Sequence, residues 1–365
     1  MEKYLYEFWF IKNEDISYGK KVKLIEYFYD SYNLFHASKS QLIESNFIDE
    51  ATADKFIENR KKFDFHREYE KFSQTPFSYI TIENPNYPMK LKNIYDPPYG
   101  LFYLGKFPDF YKTVSIVGAR RCSAYGKRMA LELGEKLGTN GFTVISGMAR
   151  GIDAYAHQGC LQQNGTTAAV LGSGCDVIYP SDNRKLYEDI IAKGGAIISE
   201  YQMGTSPVPM NFPRRNRIVS ALSDAVVVIE ARDKSGSLIT ADFALDHGKD
   251  IYVTPGRIGD SLSFGANRLI SQGAGIIYDV DVFVEEMLRL FGEKEVNLKA
   301  DSRPKYKLTS EQKNVYDLFD DYPKSLATVL EESKMDYLKL LSLVLSLEKL
   351  GLLAEVFKNN YTKVM

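Results

Sequence analysis

Residues 113–172 read TVSIVGARRCSAYGKRMALELGEKLGTNGFTVISGMARGIDAYAHQGCLQQNGTTAAVLG, and the fold class follows from this stretch. It alternates short runs of β-branched residues with segments of helical period. The same alternation continues to about residue 290, and its apolar runs fall at 114–118, 143–146, 168–172, 196–200, 225–230 and 251–254. Strands that are apolar on both faces and separated by helices indicate βαβ units and a parallel sheet covered on both sides. The sequence therefore predicts an α/β core over residues 113–291.

The segments on either side of this core have different compositions. Residues 1–75 carry apolar side chains at helical spacing and predict a small helical domain, whereas the proline-rich residues 76–112 predict a connector with an edge strand. Residues 292–309 are polar and aperiodic, which is typical of a linker. Residues 310–365 hold three helical segments followed by an alternating hairpin around Asn359, which together predict a winged helix.

The composition narrows the class of protein. The 365 residues are 44% hydrophobic and 26% charged, and 46 basic against 48 acidic groups leave a net charge of −2, which excludes a disordered chain and a protein that coats nucleic acid through bulk charge. Three cysteines without a CxxC pair and four histidines favour neither a disulfide framework nor a zinc site, and no cofactor is expected. No apolar run reaches the length of a membrane span, so we expect a cytoplasmic protein without a membrane partner.

Three loops that follow predicted strands share one design. They are Gly118 to Ser123, the run from Ser146 through Gly147 and Arg150 to Gly151, and Ala231 to Ser237, which includes Lys234, Ser235 and Gly236. Each combines glycine, a hydroxyl and an arginine or lysine with the start of a helix, where backbone N–H groups and the helix dipole attract anions. Taken singly, such glycines are equally well explained as turn formers. Taken together, the three loops predict a phosphate-binding edge of the sheet.

Two windows of local charge support an anionic ligand. Lys112, Arg120, Arg121, Lys127 and Arg128 lie between Asp109 and Glu132 without an acidic residue, a local charge of +5. A second window, between Glu200 and Asp224, holds Arg214, Arg215 and Arg217, a local charge of +3, in the run NFPRRNRIVSAL. With Pro213 in the first turn of a helix, these arginines and Asn216 are expected to face outwards as a track for phosphates. The alternative interpretation is that these arginines lie at the start of a helix and are only solvated, without a phosphate ligand.

Other motifs in the core have structural explanations. The GxG of Gly172 to Gly174 follows the third strand instead of the first, so it does not predict a dinucleotide site. Asp153 and His157 are spaced i, i+4 and could form an acid and base pair, but a capping aspartate and a structural histidine are the preferred interpretation. Cys175 has no evident histidine and asparagine partners, so a thiol nucleophile is not expected.

The motifs IVGARRCSAYG, VISGMARGIDAYAHQGC, FPRRNRIVSALS and EARDKSGSLITADFA resemble the DNA-processing protein A family (DprA/Smf). The resemblance covers about 170 residues and implies an extended Rossmann-like domain, which here lies between the C-terminal winged helix predicted above and a small helical N-terminal domain, expected to be of a degenerate helix-hairpin-helix or SAM-like kind. It further implies a non-enzymatic protein that binds and protects single-stranded DNA, forms a homodimer and loads RecA recombinase onto incoming DNA in natural transformation. The family's basic helix start after the third strand falls on Asn183, Arg184 and Lys185.

Composition and resemblance together give one set of candidate DNA and phosphate contacts and no catalytic or metal-binding residue. The contacts are Gly118, Arg120, Arg121, Ser123, Ser146, Gly147, Arg150, Gly151, Lys185, Arg214, Arg215, Asn216, Arg217, Lys234, Ser235, Gly236 and Ser237. The rival hypothesis is a nucleotide-processing enzyme related to the phosphoribohydrolases, whose PGGxGTxxE loop is replaced here by residues 234–241, without the double glycine or the glutamate.

The remaining expectations concern the ends of the chain. Residues 310–365 hold seven basic and nine acidic groups, which favours an interaction or regulatory module over a DNA reader. The apolar strands IYVT and GIIYDV and the helix DVFVEEMLRLF form the last edge of the predicted sheet. The dimeric habit of the resembled family makes this edge the candidate dimer surface.

Overall fold

The computed structural model describes residues 2–291, 308–319, 324–350, 352–357 and 359–363. They divide into two compact units, residues 1–294 and residues 295–365. The helices of the first unit are α1 (Lys3–Lys12), α2 (Tyr18–Phe28), α3 (Ser31–His36), α4 (Lys39–Glu44), α5 (Glu50–Lys62), α6 (Phe65–Ser73), α7 (Met89–Lys92), α8 (Ala124–Thr139), α9 (Ile152–Gln162), α10 (Arg184–Ala192), α11 (Asn211–Ala221), α12 (Gly236–Asp246), α13 (Phe264–Ser271) and α14 (Val280–Phe291). Its strands are β1 (Ser78–Thr81), β2 (Gly100–Gly105), β3 (Thr113–Gly118), β4 (Thr143–Ser146), β5 (Thr167–Leu171), β6 (Ala196–Ser199), β7 (Ala225–Ile229), β8 (Asp250–Val253) and β9 (Gly275–Ile276).

The nine strands form one sheet in the order β1-β2-β6-β5-β4-β3-β7-β8-β9. The seven strands from β3 to β9 pair in parallel, which confirms the predicted α/β, Rossmann-like core. The sheet as a whole is mixed, because β1 and β2 add two antiparallel strands beside β6. The predicted edge strand of the connector is β1. From β3 the chain proceeds to one side of the sheet and from β7 to the other, so the gap between their carboxyl ends is the topological switch point, where α/β sheets bind ligands.

Alternate residues of the central strands supply two apolar layers. Val227 and Ile229 pack in a cluster with α8, α9 and α14, whereas Val226 and Val228 pack with α11, α12 and α13 on the opposite face. This alternation is the two-residue period of a strand, and it explains why strands buried on both faces read as continuous apolar runs.

The N-terminal segment is helical, as predicted, and it shares a core with the sheet. Phe8, Trp9 and Phe10 of α1 belong to the same buried cluster as Phe102 of β2 and Ile197 of β6. Aromatic burial on this scale binds the helices firmly to the β1, β2 and β6 end of the sheet.

The second unit contains α15 (Ser310–Asp317), α16 (Leu326–Ser333) and α17 (Tyr337–Lys349), with β10 (Lys324–Ser325), β11 (Leu353–Phe357) and β12 (Asn360–Lys363) in the sheet order β10-β12-β11. Three helices and an antiparallel sheet are the elements of a winged helix, and that assignment stays a prediction. Most of the predicted linker, residues 292–307, lies outside the described residues. Within the described part of the chain, no helix has both the length and the apolar character needed to span a bilayer.

Candidate functional site

A cavity of about 420 Å³ opens at the switch point between β3 and β7, and we call it the switch-point cavity. Its lining comes from the loops after β3, β4, β5, β6 and β7 and from the first turns of α9, α11 and α12, so sequentially distant segments meet there. The lining includes Gly118, Arg120, Gly147, Ala149, Asp153, Tyr179, Pro207, Pro209, Phe212, Pro213, Arg215, Asn216, Ser235, Gly236, Ser237, Ile239 and Thr240.

Arg120 is the exposed cation of this lining. Its guanidinium carbon lies 5.6 Å from the centre of the Phe212 ring. No carboxylate in the described ranges lies within ion-pair distance of Arg120, so none of those carboxylates neutralises its charge. A guanidinium held over an aromatic ring can bind a phosphate with its N–H groups while it stacks.

The floor of the cavity is a buried polar assembly around Arg215 and Asp153. The Arg215 guanidinium donates to the carbonyl oxygens of Gly147, at 2.8 Å, and Val170. The Asp153 carboxylate accepts from the N–H groups of Gly147 at 3.0 Å and Ala149 at 3.4 Å. These bonds fix the loop after β4 from two sides.

Burial sets the protonation behaviour of this floor. Burial lowers the pKa of Arg215 to about 10, against the opposing attraction of Asp153. Burial also raises the pKa of Asp153, although Arg215 and two backbone N–H groups act in the other direction. At neutral pH Arg215 stays protonated, because its pKa remains well above 7.

Glycine is required where this loop crosses the loop after β3. Gly151 has φ +78°, and a Cβ there would lie 2.3 Å from the carbonyl oxygen of Ala119. At Gly147, a Cβ would lie 2.5 Å from a nitrogen of the Arg215 guanidinium. Both glycines therefore serve a close approach between neighbouring segments, a structural role that neither requires nor excludes a bound phosphate.

The prediction that the arginines of α11 face outwards is wrong for two of the three. Arg215 and Arg217 are buried, with 4% and 3% of their surface exposed. Arg217 forms a buried ion pair with Glu200 at 2.7 Å and a second one with Asp96 at 3.2 Å, and Arg214 reaches the same two carboxylates at 3.4 Å. Burial alone would lower the pKa of Arg217, but Glu200 and Asp96 outweigh it and raise the pKa. The local charge of +3 is thus largely neutralised, because Asp96 arrives from a segment far away in sequence.

The two serines of the strand ends also have structural partners. The buried Ser146 hydroxyl donates to the carbonyl oxygen of Ile116 at 2.6 Å. Ser123 caps α8 by accepting from the N–H of Gly126 at 3.1 Å, and its own N–H and hydroxyl donate to the Glu230 carboxylate. These hydroxyls hold strand ends together and are not directed into the cavity.

The other predicted residues divide between the lining and its surroundings. Gly118, Arg120, Gly147, Arg215, Asn216, Ser235, Gly236 and Ser237 line the cavity. Arg121, Lys185 and Lys234 are exposed outside that lining, and Arg150 forms an exposed ion pair with Asp182 at 2.8 Å. An exposed pair of this kind leaves Arg150 available to exchange its partner, because such pairs contribute little stability.

Sequence reasoning missed the aromatic part of the lining. The rings of Tyr179 and Phe212 lie 5.6 Å apart at the cavity, although 33 positions separate them in sequence. The sequence did contain one signal for this aromatic contact, because Phe212 is an apolar residue in the first turn of α11, next to the three arginines.

The titratable groups of Asp153 and His157 have structural partners in this arrangement. The Asp153 carboxylate accepts from N–H groups of the loop before α9, so it holds that loop in place and does not cap the helix as the preferred interpretation expected. His157 is completely buried, and its Nδ1 donates to the Thr167 hydroxyl at 2.6 Å. The described residues contain no group of three or more His, Cys, Asp or Glu side chains placed to hold a metal ion.

Comparison with known proteins places the chain among DNA-processing proteins. A family model described as DNA recombination-mediator protein A matches residues 78–288. The DNA processing protein DprA of Bacillus subtilis is 35% identical over 260 residues, which cover 69% of this chain and 87% of that protein. Protein Smf of Synechocystis is 41% identical over 229 residues, 61% of this chain and 57% of that protein. The matches thus span little more than half of the Smf proteins of Synechocystis and Escherichia coli, 57% and 56% of their lengths.

Solved structures agree in fold. The X-ray structure of DNA processing protein A from Streptococcus pneumoniae gives a TM-score of 0.67 at 32% identity, covering 78% of this chain and 99% of that one. DNA processing protein A from Helicobacter pylori, whose structure addresses a single-stranded DNA binding mode, gives 0.53 at 33% identity, covering 59% of this chain and 98% of that one. Because the family model covers more than half of the residues, this chain belongs to the DNA recombination-mediator protein A family.

Proposed function

We propose that this protein binds single-stranded DNA at the switch-point cavity and acts in recombination as a binding protein rather than as an enzyme. The observation that carries the proposal is the Arg120 guanidinium, which has no carboxylate partner among the described residues and lies over the Phe212 ring. Phe212 is half-buried, and a cation beside a partly accessible aromatic ring suits a single strand, because every base has a face on which a ring can stack. The related protein from Helicobacter pylori, with its single-stranded DNA binding mode, supports the same ligand.

Positive groups around the cavity extend this surface. Arg121, Lys185 and Lys234 are exposed, and α12 begins at the cavity with its N-terminus, where the helix dipole favours phosphate oxygens. These contacts read the backbone and not the base edges, so little sequence preference is expected.

The biological step that follows binding is protection of incoming DNA and its transfer to RecA recombinase in the cytoplasm. The membership of the recombination-mediator family supports this role. A homodimer would strengthen binding, because two modest cavities on one strand gain avidity without any new type of contact. The proposed dimer surface is the β9 edge with α14, where Ile276 and Tyr278 are 48% and 78% exposed.

The test is a salt titration of binding to a labelled single strand and to a duplex of equal length. Fluorescence anisotropy should show tighter binding of the single strand and a steep fall in affinity with salt, with a slope of about −0.7 in log units for each phosphate neutralised. Better binding of the duplex, or an affinity that salt leaves unchanged, would contradict the proposal.

A further inference from the structure

The loop after β8 presents apolar side chains to solvent beside a groove. Ile258 is 100% exposed and Phe264, the first residue of α13, is 58% exposed. The groove has a volume of about 430 Å³ and is lined by Arg257, Ile258, Phe264, Asn267 and Arg268, among others. Exposed apolar side chains grouped in this way are a mark of an interaction site.

The loop is fixed in this presentation. The N–H of Gly256 donates to the Asn267 side chain at 3.1 Å, and the Asn267 amide donates back to the carbonyl oxygen of Gly256 at 3.0 Å. A Cβ at Gly256 would lie 2.0 Å from the Ser263 hydroxyl, so the two ends of the loop touch. The exposed side chains therefore stand on a closed, hydrogen-bonded base and do not fold back onto the protein.

The groove adjoins the loop that forms part of the switch-point cavity. The N–H of Gly265 donates to the carbonyl oxygen of Ala231 at 2.8 Å, and Arg268 forms an ion pair with Asp233. Ser235, which is two residues after Asp233, lines the switch-point cavity. Since β3, β7 and β8 are neighbours and adjacent strands lie about 4.8 Å apart, roughly 10 Å separates the loops after β3 and β8. A nucleic-acid strand can cross this distance in a few nucleotides.

The charge around the groove is positive. Arg232, Lys234 and Arg257 are exposed, and no ion pair to them is formed within the described ranges. Arg268 is neutralised by Asp233, and the Asp260 carboxylate accepts from the N–H of Leu262 at 2.9 Å. A second copy of this chain docked on the same patch would bring like charges together, whereas a polyanion with stacking bases matches both the charge and the apolar side chains.

We propose that the groove at Ile258 and Phe264 is a second subsite for the same DNA strand, which leaves the switch-point cavity across the loop of Lys234 and places a base on Phe264. This inference rests on the proposed function, because it extends the path of a strand already bound at Arg120. It makes the length of the DNA, and not only its charge, a determinant of affinity.

The test compares short and long strands on a double variant. Wild type, Ile258→Ser with Phe264→Ser, and the control Met89→Ser bind labelled oligothymidylates of about 6 and about 20 nucleotides, since single-strand sites take roughly 4 to 16 nucleotides. Met89 is 63% exposed and precedes Lys90, whose ammonium group donates a hydrogen bond to the Thr113 hydroxyl at the amino end of β3. Met89 is therefore remote from the carboxyl edge of the sheet. The double variant should lose about tenfold in affinity for the long strand only, and the control should lose none.

A direct readout accompanies the affinities. The fluorescence of Phe264→Trp should be quenched by the long oligomer and not by the short one. The change reports on position 264, because Trp9, the single native tryptophan, is buried among the N-terminal helices. The inference would be overturned if the folded double variant bound the long strand as tightly as the wild type does. It would also be overturned if the double variant had a different molar mass from the wild type, because the patch would then be a contact between two copies of the chain. Failure of the wild type to bind the short strand would instead contradict the proposed function.

Discussion

Arg120 and Arg217 carry the same charge and differ in their partners. Arg120 lies over the Phe212 ring and is exposed, whereas Arg217 is enclosed by Glu200 and Asp96. Removing Arg120 should therefore cost binding, and removing Arg217 should cost stability. We expect Arg120→Ala to weaken single-strand binding by about 1.5 to 3 kcal/mol with an unchanged fold. Arg217→Ala should lower the free energy of unfolding by about 3 to 5 kcal/mol, because it removes the buried 2.7 Å partner of Glu200 and leaves that buried carboxylate only the longer contact to Arg214.

Urea unfolding and anisotropy on the same preparations check both expectations. Arg67→Ala is the matched control, since Arg67 is an exposed arginine of α6, lies outside the cavity lining and has no ion pair within the described ranges. Loss of bulk charge would affect Arg120→Ala and Arg67→Ala equally. Normal binding by Arg120→Ala would show that the guanidinium only supports the Phe212 ring.

His157 ties stability to pH. The Thr167 hydroxyl donates to Val144 and so accepts from Nδ1 of His157, which leaves Nε2 unprotonated, and Nε2 has no hydrogen-bond partner. Burial, aided by Arg215, lowers the pKa of His157 from 6.5 to about 3. Between these values the unfolded chain binds more protons than the folded one, so this contribution is complete above pH 6.5 and falls as the pH drops towards 3.

The wild type should therefore lose up to about 1.4 kcal/mol of stability per pH unit through His157 as the pH falls below its unfolded pKa. His157→Asn keeps a polar atom near Thr167 and should flatten this part of the profile. Urea midpoints of both proteins between about pH 7 and pH 5 measure the difference. Parallel profiles would mean that His157 titrates with the same pKa in the folded and the unfolded chain.

At the scale of elements, the carboxyl ends of β3 and β4 depend on one close contact. Gly151 precedes α9 with φ +78°, and its missing Cβ leaves room for the Ala119 carbonyl. Gly141, before β4, has the same φ of +78°, but no atom lies within 4 Å of the place that a Cβ would take. Substituting these two glycines therefore separates the cost of the backbone conformation from the cost of losing a close approach.

Gly141→Ala should cost about 1 to 2 kcal/mol of stability, the cost of a positive φ in a residue with a Cβ. Gly151→Ala should cost more, and it should also weaken DNA binding because it displaces the loop that carries Arg120. Thermal unfolding and oligonucleotide titration of both variants provide the comparison. Equal losses of stability with normal binding would show that the loops after β3 and β4 can separate without affecting the site.

At the scale of the whole molecule, a protein with a net charge of −2 needs more than one positive patch to hold a polyanion tightly. Dimerisation through the β9 edge would supply a second cavity. The variant Ile276→Gln with Tyr278→Gln should be a monomer, and its affinity for strands that span two copies should fall by about a hundredfold. Its affinity for a short strand should stay the same.

Light scattering over a concentration series measures the mass, and anisotropy with short and long strands measures the avidity. Tyr95→Gln, which changes a 97% exposed tyrosine of the connector, is the control for the loss of surface aromatic area. A wild type that is monomeric at every concentration and still prefers long strands would exclude the dimer as the source of avidity.

The α/β core and the edge at which the site lies follow from the sequence alone. The run TVIS at 143–146 is a strand with those bounds, and the loops that begin at Gly118, Gly147 and Ala231 do meet at one edge. Strand and helix periods are local properties, and a parallel sheet brings all its carboxyl ends to one side. The pattern of apolar residues is therefore enough to predict the edge that carries the cavity.

The side chains that are available at this edge depend on tertiary contacts. Glu200 and Asp96 neutralise Arg217 from segments 17 and 121 positions away, and the ring of Tyr179 reaches Phe212 across 33 positions. The N-terminal helices likewise share their aromatic core with β2 and β6, which their own periodicity does not reveal. Burial and ion pairing depend on partners from distant parts of the chain. A run of arginines in the sequence therefore does not reveal whether their charges are exposed to solvent or paired with carboxylates.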